Sequence, residues 1–219
     1  MILRRTLLAC TLTLGILFVG VRPAQALPLT AGDLVTLADG PGTTGGGEFL
    51  MTVNGVWSFI TFCLQRTEYI DFTHQFKVDS VSTYTLTDPI ANGGNALGQD
   101  FLSAQTAYLY TMFRQGSLAG YSYTGSGQVN SANLLQNAIW MFEQELAMNL
   151  ANPFVLLANT AVNGGLWSGI GNVRVLNLSR NGIEAQDQLA LQEVPEPATL
   201  LLVGCGLAVA AARRRRCTA

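Results

Sequence analysis

The four cysteines of this chain stand at positions 10, 63, 205 and 217. Cys10 sits in an apolar N-terminal run, and Cys205 and Cys217 belong to an apolar C-terminus closed by arginines. Between those ends only Cys63 remains, so an internal disulfide is excluded. An unpaired cysteine in a secreted domain points either to a reactive thiol or to a small buried hydrophobe. A cysteine hydrolase would need a base within hydrogen-bond reach of the thiol. His74 is the sole histidine, and it would meet Cys63 only if the chain turned back near Asp71. The acidic residues are scattered, with no zinc-ligand cluster, phosphate loop or EF-hand spacing. Neither a metal nor an organic cofactor is expected.

Two short segments carry a sharper signal when read together. Phe62-Cys63-Leu64-Gln65 ends an aromatic, β-branched stretch, and Leu135-Gln136-Asn137-Ala138-Ile139-Trp140 lies well downstream in a helical pattern. They resemble the two halves of the bacterial thioester domain of surface adhesins. That family has an aromatic-Cys motif on a strand and a Thr-Gln-x-Ala motif, often followed by Ile-Trp. Gln136, Ala138, Ile139 and Trp140 match the second motif, with Leu135 in place of the threonine. Gln65 stands where the family often has an acidic residue. The resemblance covers residues 48–148. It implies that Cys63 attacks the side-chain amide carbon of Gln136, that ammonia leaves, and that an internal thioester is stored as an acyl donor. A lysine amine on a partner would then open it. The two side chains must be held in contact, and apolar walls from Phe59, Phe62 and Trp140 would slow hydrolysis. Such a protein reacts once and is not expected to be an enzyme. The competing reading makes Leu135, Ile139 and Trp140 helix core and puts Gln136 on the solvated side. Cys63 is then the buried free cysteine of a non-catalytic envelope or exopolysaccharide-associated structural protein.

The ends set where this chemistry would take place. Arg4 and Arg5, an apolar run over residues 7–21 and Ala24-Gln25-Ala26 form the three parts of a secretory signal peptide, with cleavage expected after Ala26. Leu8-Ala9-Cys10 comes too early in the apolar run for a lipoprotein cleavage box. At the other end Pro195, Glu196 and Pro197 precede an uncharged stretch over 198–212, and Arg213, Arg214, Arg215 and Arg216 close it. The stretch is short against the roughly 20 residues that span a bilayer, a difference that arginine snorkelling can cover. The arginine block keeps that end cytoplasmic. Pro-Glu-Pro, a short apolar helix and an arginine cluster resemble the PEP-CTERM sorting signal of Gram-negative bacteria. The resemblance implies processing by an exosortase-like enzyme in the inner membrane, then a cell-surface or extracellular location. It also implies association with an exopolysaccharide matrix.

The expected organisation is therefore a signal peptide over 1–26, an exported domain over 27–193, and a sorting signal over 194–219 with its membrane helix at 198–212. The stretch from Leu27 to Pro197 holds five basic residues against fourteen acidic ones, a formal balance of −9. That balance disfavours nucleic acid and anionic membrane surfaces as partners. Strands are predicted at 34–38, on both sides of Asn54-Gly55 within 49–65, at 76–87 with a bulge where the alternation slips, and at 173–178 and 188–194. Helices are predicted at 99–115 and at 132–148 with Ser131 as N-cap, with a short helical piece after Pro153. The sum is an α+β domain: a β-rich sandwich or barrel-like body with a helical insertion.

Overall fold

The computed structural model of the chain describes residues 29–43 and 45–192. The expected signal peptide and the sorting signal, including Pro195, Glu196, Pro197 and the four arginines, lie outside the described residues. Within them the chain mixes helices with an antiparallel sheet. The large sheet has six strands: β1 (Leu34–Asp39), β2 (Phe49–Val53), β3 (Trp57–Thr61), β4 (Gln75–Ser82), β7 (Val173–Arg180) and β8 (Ile183–Leu191). Their order is β3-β2-β1-β4-β7-β8, and every pairing is antiparallel. The ends of this sheet meet. Just past β3, Leu64 N–H donates to the Asp187 carbonyl and Leu189 N–H to the Phe62 carbonyl, both at 3.0 Å. Thr61 Oγ1 and the Tyr110 hydroxyl donate to the Leu189 carbonyl and tighten the same seam.

The β2–β3 hairpin turns on Asn54 and Gly55, with φ of 50° and 67°, the left-handed pair that an Asn-Gly turn needs. A bulge between Val78 and Ser80 falls where the alternation of β4 slips. A second left-handed Asn-Gly pair, Asn181 and Gly182, joins β7 to β8. The last strand therefore starts at Ile183, ahead of its predicted start at Gln188.

Three α-helices lie between β4 and β7 among the described residues: α1 (Ala104–Arg114), α2 (Gln128–Phe142) and α3 (Pro153–Asn163). The first begins later than its periodicity predicts. Asp100 and Phe101 form β6 instead, paired with β5 (Tyr84–Thr85), and Ser103 caps the helix by accepting Thr106 N–H. The second begins earlier, at Gln128. Ser131 is inside it, and its hydroxyl accepts Ser122 N–H. Two apolar clusters result. One joins Phe62, Leu64, Val173, Val175 and Leu189 to the helices through Leu109, Tyr110, Leu135 and Ile139. The other lies on the opposite face of the sheet around Val35, Met51, Phe59, Cys63, Phe76 and Leu178, and includes Trp140. Helix α2 is thus buried on both sides, with Leu135 and Ile139 in one cluster and Trp140 in the other.

Candidate functional site

Cys63 sits at the seam, one residue past the strand-closing Phe62, and Gln136 reaches it from the middle of α2. Both are fully buried. The Gln136 side chain lies flat against the Cys63 backbone. Its Oε1 accepts Cys63 N–H at 3.3 Å and Gly47 N–H at 3.2 Å, and Cys63 Sγ stands 3.4 Å from the same oxygen. Its Nε2 donates to the Cys63 carbonyl at 2.8 Å. A buried amide needs such partners, and here they fix the carboxamide plane with the sulfur beside the carbonyl. The solvated position for Gln136 considered from helical periodicity is corrected by this burial.

The third wall is the glycine-rich loop between β1 and β2. A Cβ on Gly46 would stand 2.8 Å from the Trp140 indole and 2.9 Å from Gln136 Cγ, so only glycine lets the backbone come this close. Gly47 has φ of 141°, a region open to glycine, and this conformation turns its N–H toward Gln136. Both ends of the loop are tied to α2. Thr43 exchanges two hydrogen bonds with the Asn133 side chain, one turn before Gln136. The buried Glu48 accepts from Gln128 Nε2 and the Tyr121 hydroxyl. Trp140, one turn after Gln136, covers the site from the same helix, and the Arg66 guanidinium lies over its ring at 5.5 Å.

Burial pushes the Cys63 thiol far above its ordinary value. Its own backbone N–H and the Trp140 side chain pull the other way, while Glu145 adds to the rise. The sulfur is therefore a protonated thiol at neutral pH. Phe59 and Trp140 share its apolar cluster, whereas Phe62 faces the helices and belongs to the other one. His74 is on the surface, with Nδ1 held by Asp71 at 2.8 Å, so it does not serve the thiol. Gln65 is also buried and ties the seam. Its Oε1 accepts Asp187 N–H and its Nε2 donates to the Leu86 carbonyl.

Glycines 46 and 47, Asn133 and Glu48 escaped the sequence reading as site residues. The run Gly45-Gly46-Gly47 marks a loop, but nothing in it tells which N–H faces which side chain. Among the described residues no group of three or more His, Cys, Asp or Glu side chains is arranged to hold a metal ion, and no helix is long and apolar enough to cross a membrane.

Residues 193–216 match the PEP-CTERM protein-sorting motif. That motif implies an exported protein, anchored in a membrane before processing by an exosortase-like enzyme. Comparison with curated proteins and with solved structures found no match.

Proposed function

We propose that the exported domain forms an internal thioester between Cys63 and Gln136 and uses it to attach covalently to amine-bearing molecules at the cell surface. What supports this reading most is the pair of backbone N–H groups, from Gly47 and Cys63, on Gln136 Oε1 with the sulfur 3.4 Å away. In the proposed step the sulfur adds to the amide carbon. The carbonyl electrons move onto Oε1, where the two N–H groups act as an oxyanion hole. The thiol proton passes to Nε2, the C–N bond breaks and ammonia leaves. Cys–SH and a primary amide become a thioester and one ammonia, with no oxidant consumed. An amine on a partner then repeats the addition from outside, leaving an amide on Gln136 and a free Cys63 thiol.

Intact mass of the exported domain tests this directly. The expected mass is that of the sequence less one ammonia, and methylamine treatment adds one methylamine and exposes one thiol. Cys63→Ala and Gln136→Ala each abolish both changes. A wild-type mass equal to the unmodified sequence, with Cys63 open to alkylation in the unfolded protein, would leave a structural envelope protein with a buried cysteine.

A further inference from the structure

Next to the thiol stands a polar side chain that thioester formation leaves without a task. Gln188 of β8 is the antiparallel bridge partner of Cys63. The flanking hydrogen bonds run from Leu64 to Asp187 and from Leu189 to Phe62, which makes this the close, non-hydrogen-bonded kind of pair. In such a pair the two side chains share a face, with Cβ atoms roughly 4.5–5.5 Å apart. Gln188 is fully buried, and its Oε1 has no donor. A buried carbonyl oxygen without a donor is costly, and this one belongs to the cross-strand partner of the reacting cysteine.

The other end of the same side chain touches a residue that lines a cavity. Gln188 Nε2 approaches Gln186 Oε1 and the Gln186 carbonyl, both at 3.4 Å. Gln186 lines a cavity of about 330 Å³ together with Asp39, Gly46, Phe49, Tyr69 and Phe72. Gly46 is also the residue packed on Trp140 and Gln136, so the cavity shares a wall with the buried pair.

We propose that Gln188 Oε1 accepts the N–H of the amine that opens the thioester, and that the amine arrives from this cavity past Gln186. The proposal rests on the thioester reading. The amine nitrogen attacks the Gln136 carbonyl carbon, an N–C bond forms and the C–S bond breaks. One proton moves from nitrogen to the leaving sulfur, giving a secondary amide and a thiol. The attacking nitrogen gains positive charge on the way, so its N–H bond to Gln188 strengthens in the transition state, where it accelerates the reaction. The exposed Asp39 carboxylate at the cavity draws in cationic amines, and Phe49 and Phe72, with ring centroids 5.8 Å apart, give a hydrocarbon stem an apolar wall. The substrate class is a primary amine on an unbranched stem.

The test compares two nucleophiles on the exported protein. Gln188→Met keeps the volume and removes the acceptor, and Gln188→Glu returns an oxygen. In Gln188→Met the methylamine reaction is expected to slow about tenfold, while exchange with 2-mercaptoethanol, which brings no N–H, stays within about twofold of wild type. Gln188→Glu is expected to recover most of the methylamine rate. If Gln188→Met does not fold, Gln188→Asn, which withdraws the oxygen by one bond, carries the same comparison. An unchanged methylamine rate, or equal slowing of both nucleophiles, overturns the proposal. A wild-type protein lacking the ammonia deficit overturns the thioester itself, a result distinct from a deficit that is present with an unaltered amine rate.

Discussion

At Gly46 the difference between hydrogen and methyl decides whether the Gly47 N–H can reach Gln136 Oε1. The Cβ of an alanine there would enter the space of the Trp140 ring and Gln136 Cγ at 2.8–2.9 Å. Two rigidly packed groups cannot both yield, so the loop would lift and carry the Gly47 N–H away from Gln136 Oε1. Loss of one such donor slows acyl chemistry by about 10²–10³-fold, and overpacking costs about 1–3 kcal/mol of stability. Gly46→Ala should therefore be isolated largely without the ammonia deficit, as read by intact mass. Gly45→Ala is the matched control. Gly45 has φ of 76° with open space around its Cβ position, so alanine there meets backbone strain of about 1 kcal/mol but no neighbour, and it should keep the deficit. A Gly46→Ala protein with the full deficit would detach the loop from the chemistry. The thiol itself follows the same logic of surroundings over identity. Cys63 is reactive in this reading through the carbonyl and the two N–H groups beside it, since burial alone makes it a poorer nucleophile.

Among the elements, α1 and α2 are joined through a carboxyl group. Glu143, at the C-terminal end of α2, accepts the Ser103 hydroxyl at 2.7 Å and the Ser103 N–H at 3.3 Å, and so holds the start of α1. Burial pushes Glu143 up to about 7. Asp100 is also raised to about 7, by burial and then by the charge of Glu143. Free carboxyls titrate near 4, so between about pH 4.5 and 7 the folded chain holds protons that the unfolded chain releases. Stability should therefore fall as pH rises through that window, and Asp187, Glu68, Asp88 and Glu145, each raised by burial, add to the fall in the same direction. Asp71 is shifted the other way, chiefly by the Thr73 N–H, and its contribution is lost only below the window. Thermal melts from pH 5 to 8 should show the slope in wild type and a shallower one in the Glu143→Gln variant, because the amide keeps an acceptor for Ser103 without titrating. An identical slope would locate the pH dependence elsewhere. The elements themselves were unevenly legible. The hairpin at Asn54-Gly55 and the slip in β4 announce themselves through turn chemistry and alternation. The start of β8 does not, although Asn181-Gly182 gives the same turn signal. Gln186, Asp187 and Gln188 are buried polar residues that break the apolar alternation a half-buried strand is expected to show. Gln136 escaped periodicity for a related reason. A helix buried on both faces has no solvated side, so amphipathic reasoning misplaces its polar residues.

For the whole molecule, the sorting signal and the proposed thioester would act on the same exported body in sequence. A reporter fused after Arg216 should remain cytoplasmic, because the arginine block resists translocation, and a chain lacking 198–216 should be released in soluble form. Once the body is outside, the proposed bond is also a cross-link. It ties the seam at the end of β3 to the centre of α2, closing a loop across 73 positions. In the chain-entropy account a link of that span removes about 4 kcal/mol of freedom from the unfolded state, with about 2–4 kcal/mol usually realised. Opening the thioester with methylamine removes the link and leaves the packing of Leu135, Ile139 and Trp140 in place. For a chain of this size each kcal/mol moves the melting temperature by about 2–4 °C. The treated protein should therefore melt roughly 5–15 °C below the untreated one. Cys63→Ala, which never forms the link, should melt near the treated protein and show no further change on adding methylamine. Calorimetry on the three samples decides the matter. Coincident melts for treated and untreated wild type, with the mass shift confirmed, would mean that the bond is made for its reactivity alone and that the seam holds through Gln65, Thr61 and Tyr110 without it.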